Sequence, residues 1–446
     1  MEDSLDLFYK IEQEYKLFDL EEEDCSVPWD IFRHSVLTRM ATPFEKNQRI
    51  RLTPRKLTLF VPILFKSILG LSKKKCNTLL FSANRYSDKD GLWYDKASED
   101  ICKFFETSQG NLLNLDNIKP GNEYKNRVRY NPLPIFKLIH KKYPKLSDNT
   151  YHVIREAFTD NVPGFSITYE FLNSQYRSFQ QERAYYTKLF KRLSPKRIIF
   201  VQNGIQKGMI AAARICSIPI YEMQHGIYGR KYVLYYYPEI DNIADQFYPD
   251  VFFTFGSMWS KDLNAPTRIV PLGNNCFYNE PANDIRDSNT IVFISSIVHA
   301  NFLFPIAREL ASSHPEFKII LKLHPGEFFR YDEIVQEFSK NSNVKVVRNE
   351  INIYSLFDTA SLVVAINSTA QYEALDKGAK VAILKASNYR SQDICFDHPN
   401  LHLFENTSEL DAIIASPLHK SEPQFFQQFN PDLLKDVLSI ESTLKQ

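Results

Sequence analysis

Short apolar runs alternate with amphipathic stretches over the second half of the chain. From residue 290 to residue 384, each run of β-branched and aliphatic residues is followed by a stretch in which apolar positions recur at helical spacing. Strands separated by helices of this length are typical of a doubly wound parallel sheet. The predicted strands are 290–295, 317–323, 344–347, 362–366 and 380–384, and the predicted helices are 301–312, 331–339, 353–359 and 369–377.

The first half shows the same pattern most clearly between residues 197 and 232. Two apolar runs, 198–201 and 218–221, flank a helical segment that begins near Gly204, as in a parallel βαβ unit. Further strands are predicted at 76–83, 251–255 and 268–272, a long surface helix at 169–193, and a charged loop at 121–131.

Together these patterns predict an α/β protein with two Rossmann-like, doubly wound parallel-sheet domains that face a cleft. The polar stretch 274–289 has no periodicity and carries Pro281, so it is the predicted linker. The predicted units are a first domain (1–275) with a helical N-terminal extension, a second domain (289–422), and a C-terminal helix (423–446) that crosses back to the first domain.

Composition narrows the possible partners and compartment. The net charge of +1 argues against a dedicated nucleic-acid binder, and the six scattered cysteines suit reduced thiols of a cytoplasmic protein. The apolar run 57–71 is too short to span a bilayer. Its basic neighbours Arg51, Arg55, Lys56, Lys73, Lys74 and Lys75, with Lys66 inside it, suit either peripheral contact with the inner face of the cytoplasmic membrane or the solvated ends of a core helix.

Polar loops follow the predicted strands of the first half, where ligands of open α/β sheets bind. Asn203 follows the first strand of the βαβ unit, and Glu222, Gln224 and His225 follow the second. The imidazole of His225 titrates near neutral pH, and Gly226 beside it permits close approach of a substrate. We therefore predict His225 as a general base, Glu222 as its partner or substitute, and Asn203 and Gln224 as further residues of the same site.

Three loops of the second half carry candidate phosphate contacts. Ser295 and Ser296 either cap the next helix or bind phosphate oxygens. His324 precedes the stiff Pro325 and is either structural or a phosphate donor. The third loop combines the hydroxyls of Ser368 and Thr369 at a helix start with Glu373 one turn later, which suits either an N-cap or contacts to phosphate and ribose.

These loops resemble a known group of enzymes. The "HG" loop, the "KLHP" loop and the "ST…EALxxG" helix start resemble those of bacterial GT-B transferases of surface polysaccharides, over roughly residues 195–385. The closest resemblances are to enzymes that use cytidine nucleotides, namely CDP-glycerol glycerophosphotransferases and the CMP-Kdo and CMP-sialic acid transferases of capsule synthesis. The resemblance assigns His324, Ser368 and Thr369 to the donor phosphates, which makes 289–422 the expected nucleotide-donor-binding domain. It assigns the QHG loop, chiefly His225 as general base, to the acceptor side, so 1–275 is the expected acceptor-side domain, with Asn203 and Gln224 as acceptor-side residues.

The expected function is therefore transfer of a sugar from a nucleotide-activated donor, with a CMP-Kdo-like or CMP-sialic-acid-like donor favoured, to a growing capsule, O-antigen or other surface glycan. The acceptor is a glycan or a lipid-linked glycan. Three alternatives remain open: a CDP-polyol-phosphate transferase, a nucleotide-sugar 2-epimerase, and a non-catalytic glycan-binding or nucleotide-binding subunit. The sequence has no clear pair of carboxylates at a strand end, so neither a metal nor another cofactor is expected.

Overall fold

A computed structural model of the chain describes residues 4–444 apart from short gaps. The gaps are 26, 42–64, 66–74, 89, 109, 117–121, 140–141, 202–205, 230–231, 239–246, 262, 279–285, 298, 387–388 and 390–394.

In the part of the chain that the structure describes, the first sheet has seven parallel strands. They are β1 (Thr78–Phe81), β2 (Leu112–Asp116), β3 (Val128–Tyr130), β4 (Arg197–Val201), β5 (Ile220–Met223), β6 (Val251–Thr254) and β7 (Arg268–Pro271). Their order across the sheet is β3-β2-β1-β4-β5-β6-β7. The order reverses between β1 and β4, and ligands of doubly wound sheets commonly bind near such a reversal.

The second sheet repeats this arrangement with six parallel strands. They are β8 (Asp287–Ile294), β9 (Lys318–Lys322), β10 (Val344–Val347), β11 (Ala360–Ala365), β12 (Lys380–Leu384) and β13 (Leu401–Phe404). The order is β10-β9-β8-β11-β12-β13, so the reversal falls between β8 and β11. The predicted fold class of two Rossmann-like parallel-sheet domains is confirmed.

Helices cover these sheets because their apolar faces pack on strands that are buried on both sides. The described α-helices are Ser4–Glu14, Trp29–Ala41, Glu99–Thr107, Leu133–Ile139, Asp148–Thr159, Tyr169–Leu193, Lys207–Ile215, Ala300–Ser313, Tyr331–Glu337, Ile353–Thr359, Ala370–Asp376, Thr407–Ala415 and Pro431–Leu444. The bounds predicted for the helices at 169–193 and 353–359 and for the strands at 344–347 and 380–384 agree with the structure.

One secondary-structure prediction for the first half, the charged loop, was wrong. Residues 121–131 were expected to form a charged loop, whereas Val128–Tyr130 forms the edge strand β3, which pairs with β2 from Asn114 to Asp116. Arg129 is compatible with a strand here because, among the described strands, β3 pairs with β2 alone and forms the edge of the sheet.

The C-terminal segment links the two sheets before its helix begins. The Asp376 carboxylate accepts backbone N–H groups from Gln424, Phe425 and Phe426 at 2.7–3.1 Å. A few residues later the chain pairs with the loops that follow β6 and β7, through Gln427 N–H to Phe255 O and Asn430 N–H to Leu272 O. The helix Pro431–Leu444 then packs on the first sheet through Leu434, Val437 and Leu438.

The predicted membrane patch lies, apart from Phe65 and Lys75, outside the described residues. Among the residues that the structure describes, no helix has both the length and the apolar character needed to cross a bilayer. All six cysteines are free thiols.

Candidate active site

A cavity of about 420 Å³ lies where the carboxyl ends of the two sheets meet. The first sheet contributes residues of the loop after β5, and the second contributes the ends of β8, β9 and β11, which include its point of strand-order reversal. The lining residues are His225, Gly226, Ile227, Tyr228, Gly229, Tyr232, Ser295, Ser296, His324, Asn367, Ser368 and Thr369. The volume is in the range of small-molecule sites.

His225 occupies the first-sheet wall in a half-buried position. Its Nδ1 is hydrogen-bonded to the hydroxyl of Tyr228, which leaves Nε2 as the other polar atom of the ring. Burial, and secondarily the positive charge of Arg85, lower the pKa of His225 to about 4. The imidazole is therefore neutral at physiological pH and able to accept a proton.

Arg85 is held near His225 by a braced loop after β1. Asp116 accepts hydrogen bonds from Asn84 through its backbone N–H at 2.9 Å and its side chain at 2.8 Å. Asp95 accepts the N–H of Ala83 at 3.3 Å, and burial raises the pKa of this carboxyl to about 6. The loop therefore presents an exposed guanidinium beside the candidate base.

His324 occupies the opposite wall and is exposed. Its Nδ1 accepts the backbone N–H of Gly326 at 3.0 Å, so the neutral ring carries its proton on Nε2. Glu327 completes a capping box, because its carboxylate accepts the backbone N–H of His324 at 3.1 Å. The same carboxylate accepts the hydroxyl of Ser295 at 3.0 Å, which ties the loops after β8 and β9 together.

The hydroxyl residues of the second sheet are placed by local hydrogen bonds. Ser296 Oγ lies 2.9 Å from Nδ1 of His299 at the start of the helix Ala300–Ser313. Ser368 Oγ accepts the backbone N–H of Ala370 at 3.3 Å, and Thr369 is the residue before the helix Ala370–Asp376. Ser368 thus bonds the first residue of one helix, Ser296 bonds the residue before another, and Ser296, Ser368 and Thr369 all border the cavity.

Six of the predicted site residues thus line one cavity: His225, His324, Ser295, Ser296, Ser368 and Thr369. Pro325 forms the first position of the turn Pro325–Arg330 and does not line the cavity. Asn203 lies outside the described residues.

Three predicted placements need correction. Glu222 was expected to hold the second ring nitrogen of His225, but its fully buried carboxylate accepts the hydroxyl of Tyr235 instead. Gln224 was expected on the acceptor side, but its side chain is buried and bonds Gly226 O at 2.8 Å and Phe255 N–H at 2.7 Å. It fixes the loop rather than facing the cavity.

Glu373 was expected to reach a ribose. In the structure it is buried, bonded to the Tyr354 hydroxyl and near Lys96 of the first domain. Burial raises the pKa of this carboxyl, and the charge of Lys96 opposes the increase.

Sequence reasoning missed Arg85, Tyr228, Tyr235 and Glu327. Glu327 had a detectable signal, because a Glu three residues after His324 matches the spacing of a capping box. The two tyrosines had none, since they lie among the many aromatic residues of the stretch 228–237.

Two parallel sheets of this strand order, with a cavity between their carboxyl ends, define the GT-B class of fold. Within this architecture, residues 294–413 match the family model described as capsule polysaccharide biosynthesis protein. The match covers most of the second sheet and its helices, and it supports a relation to surface-polysaccharide proteins for this part of the chain.

Solved structures with a similar chain path have low sequence identity. The UDP-GlcNAc 2-epimerase of Methanocaldococcus jannaschii, in complex with UDP-GlcNAc and UDP, is 11% identical with a TM-score of 0.49, over 81% of this chain and 99% of that one. MurG of Acinetobacter baumannii is 8% identical with a TM-score of 0.44, over 82% and 91%. A search of curated proteins found no match. The fold assignment rests on the strand order.

Proposed function

We propose that the chain is a glycosyltransferase that moves a sugar from a nucleotide-activated donor to a hydroxyl of a growing surface glycan. The observation that carries this proposal is the cavity in which His225 of the first domain lies across from His324, Ser368 and Thr369 of the second. A base on one wall and anion-binding donors on the other are what transfer from a sugar phosphate needs.

The second domain binds the donor phosphate. His324 donates Nε2–H, because its Nδ1 is already occupied by Gly326. A hydrogen bond to an ionised phosphate contributes roughly 1.5–3 kcal/mol, and the hydroxyls of Ser368 and Thr369 add neutral donors. These groups stabilise the negative charge that develops as the bond to the sugar breaks.

His225 activates the acceptor. Its neutral ring takes the proton of the acceptor hydroxyl as the new bond between that oxygen and the anomeric carbon forms. The bond between the anomeric carbon and the phosphate oxygen breaks, and the nucleotide leaves with the electron pair. His324, Ser368 and Thr369 on the opposite wall of the cavity stabilise the charge on the leaving phosphate.

A negatively charged transferred group is favoured by the position of Arg85. Its exposed guanidinium acts on His225 and Tyr232, at the wall where the sugar or acceptor would lie. A carboxylate of a CMP-Kdo-like or CMP-sialic-acid-like donor suits this charge. The phosphate of a CDP-polyol-phosphate donor also suits it, and this is the second candidate function.

Calorimetry with CMP, CDP, UDP and GDP tests the division of the cavity. We expect a cytidine nucleotide to bind best and His324→Ala to weaken its binding by roughly 1.5–3 kcal/mol. His225→Ala should leave that binding nearly intact and lower turnover by about 10²–10⁴-fold. Equal losses of nucleotide binding in the two variants would contradict the assignment of donor and acceptor walls.

Donor turnover with and without added acceptor separates the remaining classes. A transferase needs the acceptor for glycan extension, a 2-epimerase changes the donor without one, and a binding subunit does neither. Capsular oligosaccharides serve as acceptors, and loss of the donor is followed by chromatography.

The leaving phosphate is assigned here to imidazole and hydroxyl groups, so turnover is expected to survive excess EDTA. Within the part of the chain that the structure describes, no group of three or more His, Cys, Asp or Glu side chains is placed to hold a metal ion. Loss of turnover in EDTA that magnesium or manganese restores would place a metal in the reaction.

A further inference from the structure

The N-terminal extension packs behind the first-sheet wall of the cavity. Its helices Ser4–Glu14 and Trp29–Ala41 contribute to the same hydrophobic core as residues 232–237, which we call the wall segment. Tyr232 of this segment borders the cavity. The extension therefore reaches the wall that carries the candidate base.

Arg33 of the extension holds the backbone of the wall segment. Its guanidinium is 0% exposed and donates to the carbonyl oxygen of Val233 and, at 3.0 Å, to that of Tyr236. It also lies 4.0 Å from the centroid of the Tyr237 ring. A buried cation needs a partner of opposite charge, and the carboxylate of Glu12 supplies it by accepting a hydrogen bond from Nη2 at 2.8 Å.

Asp30, one turn earlier on the same helix, makes a second connection. Its carboxylate accepts the hydroxyl of Tyr237 at 2.7 Å and forms an ion pair with Nζ of Lys207 at 2.8 Å. Lys207 is the first residue of the helix Lys207–Ile215, which follows β4 in the chain. One buried carboxylate of the extension thus holds both the wall segment and this helix.

The wall segment is also held by residues outside the extension. The hydroxyl of Tyr248 donates to Leu234 O at 3.0 Å. The backbone N–H of Tyr237 donates to Asn264 O at 2.8 Å, and the Asn264 side chain donates to Tyr237 O. Loss of the bonds from Arg33 should therefore loosen the segment without detaching it.

Packed rings connect the wall segment to the candidate base. Tyr235 lies between the two residues that Arg33 holds, and its ring centroid is 4.1 Å from that of Tyr228. The ring of Tyr232 packs on Tyr228 as well, at 5.4 Å. Because the Tyr228 hydroxyl is hydrogen-bonded to Nδ1 of His225, the position of the segment affects both the base and the cavity surface beside it.

We propose that Arg33 and Asp30 are positioning residues for the acceptor side of the cavity. This inference rests on the proposed function, in which His225 takes the proton of the acceptor hydroxyl. The two side chains touch no substrate and act through the wall segment. They determine how closely an acceptor is held against His225, and they leave the donor wall on the second sheet unchanged.

The double variant Glu12→Gln/Arg33→Met tests the proposal. It leaves no unpaired charge in the core, and the new amide oxygen can still accept the indole N–H of Trp29. With a capsular oligosaccharide as acceptor, we expect the acceptor KM to rise about five- to tenfold and kcat to fall by a similar factor, since small misplacements of reacting groups lower rates. The affinity for CMP in calorimetry should stay that of the wild type.

Lys380→Met is the matched control. Lys380 is likewise a buried cation that binds carbonyl oxygens, those of Ile413 at 2.9 Å, Ile414 at 3.1 Å and Ser416, but it belongs to the second sheet and does not line the cavity. Its loss should lower the melting temperature and leave the acceptor KM and kcat unchanged. Equal changes of acceptor KM in the control and the double variant would show a general effect of lower stability and would overturn the proposal.

Deuterium exchange of backbone amides separates this inference from the proposed function, because it needs no substrate. Exchange at residues 232–237 should be faster in the double variant than in the wild type. Unchanged exchange would overturn the anchoring, and faster exchange with an unchanged acceptor KM would overturn the positioning role. Failure of the wild-type protein to transfer to any acceptor would instead refute the proposed function, and the inference that rests on it, without altering the exchange result.

Tyr237→Phe is the second variant if the double variant does not fold. It removes only the hydrogen bond to Asp30 and keeps the ring under the guanidinium of Arg33. Exchange and acceptor KM should change in the same direction by a smaller factor. Wild-type values for both would overturn the part of the proposal that assigns a positioning role to Asp30.

Discussion

At the scale of single residues, the two histidines of the cavity have opposite surroundings. His225 is half-buried, lies near a guanidinium, and has a pKa lowered to about 4. His324 is exposed and has its Nδ1 occupied by a backbone N–H. The first is therefore suited to accepting a proton and the second to donating a hydrogen bond, although both follow strands in the same kind of loop.

The low pKa of His225 predicts an unusual pH dependence. In the proposed mechanism the neutral ring of His225 is the active form, so kcat/KM should fall as the pH drops through about 4 rather than through 6.5. Arg85→Gln removes one of the two effects that lower this pKa and should move the acid limb upwards by up to about one pH unit. Burial, the larger effect, remains in that variant.

Arg85→Lys keeps the positive charge and serves as the control. Its acid limb should stay near that of the wild type in a pH series of initial rates. A wild-type limb near 6.5, or equal shifts in both variants, would contradict this assignment of the pKa.

At the scale of elements, the donor wall depends on one carboxylate that lies behind it. Glu327 is 1% exposed and bonds both the hydroxyl of Ser295 and the backbone of His324. Glu327→Ala should free both loops and weaken binding of CMP by about five- to tenfold, roughly 1–1.4 kcal/mol, in calorimetry. Glu327→Gln keeps one acceptor oxygen and should lie between this variant and the wild type.

Glu409→Ala is a control for loss of a capping residue elsewhere. Glu409 accepts the backbone N–H of Glu405 at 2.9 Å and does not line the cavity. It should lower thermal stability slightly without changing CMP binding. If Glu327→Ala binds CMP as tightly as the wild type, the two loops are positioned without this carboxylate.

Five of the six described strands of the second sheet were predicted because apolar residues dominate them, whereas β13 (LHLF) and the helix Thr407–Ala415 after it were not predicted. The ends of such strands located His324 and Ser368 from the sequence alone. Strands β2 and β3 were missed because they carry polar residues whose partners are distant in sequence. Asn114, for example, is buried in β2 and accepts the hydroxyl of Ser82 at 2.8 Å.

The direction of the side chains on β5 could not be predicted from the sequence either. Its residues are buried on both faces, so the pattern cannot tell which of them reaches the cavity. Glu222 was predicted as the partner of His225, whereas its carboxylate is buried and accepts the hydroxyl of Tyr235, thirteen residues later. The orientation of Glu222 is therefore set by Tyr235, a hydrogen-bond partner that the fold brings close.

At the scale of the whole molecule, the cavity depends on how the two sheets are held together. The segment from Gln424 to Asn430 is bonded to Asp376 of the second domain and to the loops after β6 and β7 of the first. Burial raises the pKa of Asp376 to about 6, and three backbone N–H groups oppose the increase. This extended segment has no periodic pattern, so the sequence predicted its crossing only as part of a helix.

Gly273 provides a direct test of this connection. It adopts φ +81°, and a Cβ there would lie 2.2 Å from Gln428 O and 2.7 Å from Gln427 O. These are backbone atoms of the crossing segment, so Gly273→Ala should displace it as well as strain the turn. Gly91 has φ +80° and no atom within 4 Å of its Cβ position. Gly91→Ala therefore introduces the backbone strain without a clash.

The control Gly91→Ala should lower the free energy of unfolding by about 1–2 kcal/mol, the penalty for a left-handed backbone conformation. Gly273→Ala should lower the free energy of unfolding further, because the clash adds to the same backbone strain. It should also make residues 424–430 accessible to limited proteolysis, since the clash displaces this segment. It should also lower turnover, since the walls carrying His225 and His324 are held together by this segment. Equal melting temperatures and equal proteolysis in the two variants would show that the crossing segment does not fix the sheets.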